Sequence, residues 1–288
     1  MYCNPTRILF KHVCVHFFIC AIYGKIIMYA QRQRVLRMSA STGDHIAERG
    51  GLMIYGVILA GGIGSRMGNK EKPKQYINIG GKPIILHTVE KFCMCSEFEK
   101  ILILCPEDWI EYTKNLIKKH VSDTDRIEVI EGGATRNETI MNSIAYIDDA
   151  GHLDDDTVIV THDAVRPFVT YRILKANIDA AQRYGACDTV IPATDTIVES
   201  RNGSIISDIP DRSVLYQGQT PQSFKAVKLR ALYEGLTDEE KDILTDAAKI
   251  FVIRGEDVYL VKGENSNIKI TYPYDLTVAE SLLQTKGE

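Results

Sequence analysis

Two periods of hydrophobicity alternate along most of the chain. Ile54 to Leu59, Ile101 to Cys105, Ile127 to Ile130, Thr157 to Thr161 and Thr189 to Ile191 are short β-rich runs and read as strands. Between them, Ile84 to Phe92, Trp109 to Lys119, Asn137 to Ile147 and Ile173 to Tyr184 carry apolar residues three and four apart, as at Ile140, Ile144 and Ile147. That spacing is the buried stripe of an amphipathic helix. Strand and helix in alternation predict βαβ units and an α/β fold with a mostly parallel sheet, covered on both faces. Ala193 to Arg212 breaks the rhythm: it is rich in Asp, Ser, Asn and Gly, with short β-prone pieces at Thr196 to Val198 and Ser204 to Ile206. It reads as a protruding β-arm (193–212) suited to a dimer contact. Beyond it the pattern predicts helices over Ala226 to Tyr233 and Thr245 to Ile253, strands at Val258 to Lys262 and Ile268 to Thr271, and a closing helix from Asp275.

The first fifty residues follow neither period. Ile8 to Tyr29 is apolar but interrupted by Lys11, His12, His16 and Lys25, leaving no run long enough to cross about 30 Å of hydrocarbon. Basic residues precede it, as in a secretory signal, yet no clean small-x-small cleavage site follows and Gln31 to Arg37 is strongly basic. Met53 opens the first strand, and Glu48-Arg49-Gly50-Gly51 is what a purine-rich ribosome-binding site would encode in this frame. Residues 1–52 are therefore expected to be an N-terminal extension outside the fold, with Met53 as the start and 53–288 as one domain.

Composition narrows the classes. The 288 residues are 45% apolar and 25% charged, ordinary globular usage. A net charge of −4 provides no overall basic field for nucleic acid or an anionic membrane, so an anionic ligand must be gripped locally. The seven cysteines include no Cys-x-x-Cys spacing and fall largely in apolar runs, which predicts a reducing cytoplasm with no zinc site and no disulfide framework.

Ligands of parallel sheets bind beyond the carboxyl ends of the strands. Leu59-Ala60-Gly61-Gly62-Ile63-Gly64-Ser65-Arg66-Met67-Gly68, followed by Pro73-Lys74-Gln75, trails the first strand. Its glycines let backbone N–H groups close on phosphate oxygens, and Arg66 and Lys74 are either phosphate ligands or solvated charges. A dinucleotide site would need a helix at once and an acidic residue some 20 positions on; Pro73 and the cations around it stand there instead. Glu131 to Thr139 closes a strand and opens a helix, so Gly133, Ala134, Thr135, Arg136, Asn137, Glu138 and Thr139 form either an anion-binding helix start or an ordinary capped turn. Asp163, just past a buried strand, suits a divalent cation, a sugar hydroxyl or a helix cap, whereas His162 beside it reads as structural. Lys269 lies in an alternating strand, where facing inward would demand an anionic partner.

In order along the chain, Leu-Ala-Gly-Gly-x-Gly-x-Arg-Met-Gly with Pro-Lys-Gln, Gly-Gly-x-x-Arg-Asn, His-Asp-x-x-Arg-Pro, Thr-Pro-Gln and Asn-Ile-Lys-x-Thr resemble the alditol-phosphate cytidylyltransferases over Met53 to Leu283. Of the two branches, methylerythritol 4-phosphate and ribitol 5-phosphate, Thr161 to Phe168, Tyr216 to Gln222 and Leu244 to Ala247 look more like the ribitol branch. The resemblance implies a Rossmann-like nucleotidyltransferase fold with a mostly parallel twisted sheet and a protruding β-arm. It also implies a homodimer in which the arm of one subunit reaches the site of the other, with CTP as co-substrate and Mg²⁺ or another divalent cation.

It assigns residues too. Leu59, Ala60, Gly61, Gly62 and Gly64, with Gly133 to Thr139, would cradle the nucleotide; Arg66 and Lys74 would steady the triphosphate and the transition state. Asp163 would lie near metal and substrate, Arg212 and Lys269 would position the alditol phosphate, and Arg166, Thr196 and Thr245 are weaker carry-overs. Thr135 and Thr139 depart from the family, where an acidic residue and Ser are common. Two other classes compete: a nucleotide-binding regulatory module without catalysis, which would lack the cations, and an NAD-dependent oxidoreductase.

Overall fold

The computed structural model describes residues 53–62, 67 and 72–284. β1 (Ile54–Leu59) is followed by a small hairpin, β2 (Asn78–Ile79) with β3 (Lys82–Pro83), turned by Gly80 and Gly81, both at positive φ. Then come α1 (Ile84–Cys93), β4 (Lys100–Cys105), α2 (Ile110–His120), β5 (Ile127–Glu131), α3 (Arg136–Asp149), β6 (Val158–Asp163), α4 (Tyr171–Tyr184) and β7 (Ala186–Pro192). The alternation expected from the hydrophobic pattern is present, with bounds shifted by at most three residues. β8 (Tyr216–Lys225), α5 (Ala226–Glu234), α6 (Asp238–Asp242), α7 (Ala248–Ile253), β9 (Tyr259–Lys262) and α8 (Pro273–Gln284) complete the chain.

The main sheet runs β5-β4-β1-β6-β8-β7-β9. β1 pairs in parallel with β4 and β6, β4 with β5, and β7 with β9; β8 runs antiparallel to both β6 and β7. This is the mostly parallel α/β sheet that was expected. All of β6 and most of β1 and β4 are buried, because helices cover both faces. Ile58, Ile103 and Val160 meet Phe92 and Ile173 on one face, while Val57, Leu104 and Ile159 meet Ile140, Ile144 and Phe251 on the other. Each such side chain contributes about 1.5–3 kcal/mol when fully buried.

Four expectations are corrected. Tyr216 to Gln222, read as a motif rather than an element, belongs to the ten-residue strand β8. Ile268 to Thr271 is not a strand, although Ile270 N–H still bonds Val165 O at 3.0 Å. The helix expected over Thr245 to Ile253 starts only at Ala248, and the acidic α6 precedes it. In the arm, strand pairing reduces to one bridge between Glu199 and Asp208, and nearly all of 194–214 is exposed. Among the described residues no helix is long and apolar enough to cross a membrane.

Candidate active site

The strand ends bring the chemistry together. Leu59, last in β1, lies in register with Asp163, last in β6. Cys105, last in β4, pairs with Glu131 of β5, and Gly132 N–H bonds Cys105 O at 2.9 Å. The glycine loops after β1 and β5 thus flank one cavity of about 300 Å³, lined by Leu59 to Gly62, Lys74, Gly133 to Arg136, Thr139, Asp163 and Lys269 among others. Gly133 is obligatory: a Cβ there would come within 2.4 Å of Glu138 Cβ and 2.9 Å of the Thr139 nitrogen. α3 opens with a capping box, Thr135 Oγ1 accepting from Glu138 N–H while the Glu138 carboxylate accepts from Thr135 N–H. Thr139 Oγ1 accepts from Gly133 N–H at 3.0 Å and donates to Thr135 O at 2.8 Å. Both departures from the family pattern therefore keep a hydroxyl where the loop needs one.

Asp163 is the centre of charge. It is 5% exposed, with Arg136 on Oδ1 and, on Oδ2, Lys269 Nζ at 2.9 Å and Arg166 Nε at 3.5 Å. Burial alone would raise this carboxyl, but Arg136, Lys269 and Arg166 outweigh it and hold it well below the usual carboxylate range. One acid against three cations makes a net positive wall, which suits a polyanion. Lys269 therefore faces inward, with the anionic partner that orientation demands. Lys74, 8% exposed, follows Pro73 in a short 3-10 turn and donates to Ile270 O at 3.2 Å.

His162 is enclosed and neutral, burial lowering it to about 4. Thr220 Oγ1 accepts from Asp163 N–H at 3.2 Å, so its own hydrogen is available for His162 Nδ1 at 2.9 Å. His162 Nε2–H then donates to Arg166 O at 3.0 Å. The imidazole thus braces the Asp163 to Arg166 loop.

A second cavity, about 160 Å³, adjoins the first and shares Arg136, Asp163 and Lys269 with it. Its remaining lining is Arg166, Gly218, Gln219, Thr220, Gln222, Thr245 and Asp246. Arg166 and Thr245, weaker carry-overs from the resemblance, line this cavity and are not among the described residues of the first. Asn137 and Glu138 line a third cavity with Tyr233 and Lys241, which shares Thr135 and Arg136 with the first. Thr196 and Arg212 are on the exposed arm, Arg212 Nη1 donating to Thr194 O at 2.8 Å, and neither is among the described residues lining these three cavities. Arg66 and Gly64 lie outside the described residues. Sequence reasoning assigned no role to Gln219, Thr220, Gln222 and Asp246, though it quoted the stretches that contain them.

A divalent cation held by Asp163 does not fit these residues. Both carboxylate oxygens are engaged by cations, Asp163 is the sole acid among the described residues lining the first cavity, and no cluster of three metal-ligating side chains occurs among the described residues. The expected metal ligand is thus placed as an ion-pair centre.

Residues 54–285 match the family described as IspD, 2-C-methyl-D-erythritol 4-phosphate cytidylyltransferase. The chain belongs to this family. Among solved structures, 4-diphosphocytidyl-2C-methyl-D-erythritol synthase from Anaerococcus prevotii is 27% identical, with a TM-score of 0.66 over 81% of this chain and 97% of that one. The 2-C-methyl-D-erythritol 4-phosphate cytidylyltransferase of Francisella tularensis is 26% identical, with a TM-score of 0.66 over 80% and 99%. That of Thermus thermophilus is 26% identical, with a TM-score of 0.61 over 81% and 99%. As an IspD-family protein the chain is a nucleotidyltransferase enzyme, and the regulatory-module and oxidoreductase readings give way.

Proposed function

We propose that this enzyme transfers CMP from CTP to D-ribitol 5-phosphate, giving CDP-ribitol and pyrophosphate for wall teichoic acid or a related polymer. The observation that carries the acceptor is the lining of the second cavity: no aliphatic or aromatic side chain is among its described residues. Ribitol offers a hydroxyl on every carbon that does not carry phosphate, and amides, hydroxyls and carboxylates can pair with all of them. The methyl group of methylerythritol 4-phosphate, the alternative acceptor, would meet polar groups there and leave them unsatisfied. Methylerythritol 4-phosphate is the reading that the names of the solved relatives favour.

An acceptor phosphomonoester, with a second pKa near 6, is already largely ionised at neutral pH, so no general base is needed. Its oxygen attacks the α-phosphorus of CTP, the new P–O bond forming as the bond to the β-phosphate oxygen breaks and pyrophosphate leaves with that electron pair. Positioning and electrostatic stabilisation are then the whole task. The glycine loops offer N–H groups to CTP, Lys74 and Arg66 balance charge developing on the triphosphate, and Arg136, Arg166 and Lys269 hold the acceptor phosphate against the same wall.

Pyrophosphate release with CTP, Mg²⁺ and either alditol phosphate tests the assignment. Ribitol 5-phosphate should give the higher kcat/KM, and a preference for methylerythritol 4-phosphate would overturn it. A cytoplasmic setting accords with the free thiols of Cys93, Cys95, Cys105 and Cys187, the cysteines among the described residues.

The arm supports a homodimer. It exposes Val198, Ile205, Ile206, Ile209 and Val214, apolar surface that a second copy would cover, and Thr196 and Arg212 on it are not among the described residues lining the two cavities of the site. With arms exchanged, an Arg212→Ala protein and a Lys74→Met protein, each nearly inactive, should regain activity when refolded together, because a mixed dimer holds one intact site. No recovery despite demonstrated mixed dimers would show that Arg212 acts within its own subunit or not at all.

A further inference from the structure

Asp188 on β7 and Gln222 on β8 face each other across the sheet in register, on the face that also carries the next opposed pair, Ala186 and Phe224. Directly opposite side chains on one face are neighbours, so the Gln222 amide lies beside the Asp188 carboxylate. The pairing then slips: Asp188 faces Gln222 but Val190 faces Gly218, so Gln219, Thr220 and Pro221 are accommodated in a bulge. Gly218, Gln219, Thr220 and Gln222 line the second cavity as a result.

Two atoms remain unpaired here. Gln222 is 2% exposed and its Oε1 has no hydrogen-bond partner, nor has Asp188 Oδ1. An ionised carboxylate can only accept, so the amide favours turning Nε2 rather than Oε1 toward Asp188. Oε1 then points away from Asp188, on a residue that lines the cavity. A buried carbonyl oxygen left without a donor calls for one from the ligand, and an alditol hydroxyl is such a donor, whereas its phosphate is not.

We propose that Gln222 Oε1 accepts a hydrogen bond from one hydroxyl of the acceptor's carbon chain, and that Asp188 is the positioning residue that holds the amide in that orientation. Arg136, Arg166 and Lys269 take the phosphate end, so Gln222 distinguishes acceptors by where their hydroxyls fall. This rests on the reading that the second cavity receives the alditol phosphate.

The test is steady-state pyrophosphate release at pH 8, where Asp188, pushed up to about 7 by burial, is ionised. Gln222→Met keeps the length of the side chain and removes the acceptor. It should raise KM for ribitol 5-phosphate about tenfold, the scale of one lost hydrogen bond, with KM for CTP unchanged. Asp188→Ala should do the same, Asp188→Asn, which retains an oxygen for the Gln222 amide, should stay within about threefold, and the double variant Asp188→Ala with Gln222→Met should be no worse than Gln222→Met alone. In the wild-type protein, ribitol 5-phosphates lacking one hydroxyl at a time should include one that loses about tenfold; this arm stands even where a variant fails to fold. Unchanged acceptor KM in Gln222→Met, an equal rise in KM for CTP, or additive losses in the double variant would overturn the proposal while leaving the assigned reaction intact. A wild-type protein that turns over neither alditol phosphate would overturn the assigned acceptor and this inference with it.

Discussion

Replacing Asp163 by Asn should destabilise the protein by about 3 kcal/mol, the lower end of the cost of removing one partner from a buried ion pair. The lower end applies because Lys269 is 39% exposed and can turn to water, whereas Arg166, at 8%, cannot. At roughly 2–4 °C per kcal/mol for a domain of this size, the melting temperature should fall on the order of 10 °C at pH 7. The pH dependence follows from the depressed carboxyl of Asp163. A group whose folded-state pKa lies below its unfolded value, about 3.9 for Asp, contributes stability above that value and loses it as pH falls through the folded pKa. The gap between wild type and Asp163→Asn should therefore be full at pH 7 and shrink below about pH 4. Inorganic phosphate, by occupying the uncompensated cations, should restore more stability to the variant than to the wild type. Equal melting temperatures at pH 7 would mean the three cations do not depend on Asp163.

Lys74→Met should lower kcat by about 100- to 1000-fold, as loss of one preorganised donor does where charge develops, with KM for the acceptor little changed. Lys74 is 8% exposed and its ammonium reaches the Ile270 carbonyl at 3.2 Å, so its position is fixed before any substrate arrives. Single-turnover pyrophosphate release, compared with the melting curve, separates chemistry from folding. Turnover within about threefold of wild type, with an unaltered melting curve, would remove Lys74 from the reaction.

The strands and helices of the parallel half could be read from sequence because burial there is decided by apolar periodicity alone: Ile140, Ile144 and Ile147 pack as their spacing predicts. β8 could not, because most of its buried residues are polar and the bonds it makes reach groups distant in sequence. Thr161 Oγ1 donates to Gln222 O, Thr189 Oγ1 to Pro221 O and Ser223 Oγ to Asn177 Oδ1, none of which a local window contains. The glycine loops and Lys74 announce themselves by their place after strands. Lys269 was ambiguous until Asp163, more than a hundred positions away, was brought within 2.9 Å. Gln222 lay hidden for the same reason as the strand that carries it: its partner Asp188 is joined to it only by sheet register.

The wall of Arg136, Asp163 and Lys269 common to the two cavities has a thermodynamic consequence. Ligands that draw on the same charges cannot bind independently, and whatever factor the first imposes on the affinity of the second is returned in equal measure. Substitutions in the wall change that factor and so alter both dissociation constants together, in ways that depend on which ligand is already present. Substitutions at Gln222, which lines the second cavity and not the first, should change one constant and leave the linkage between the two untouched.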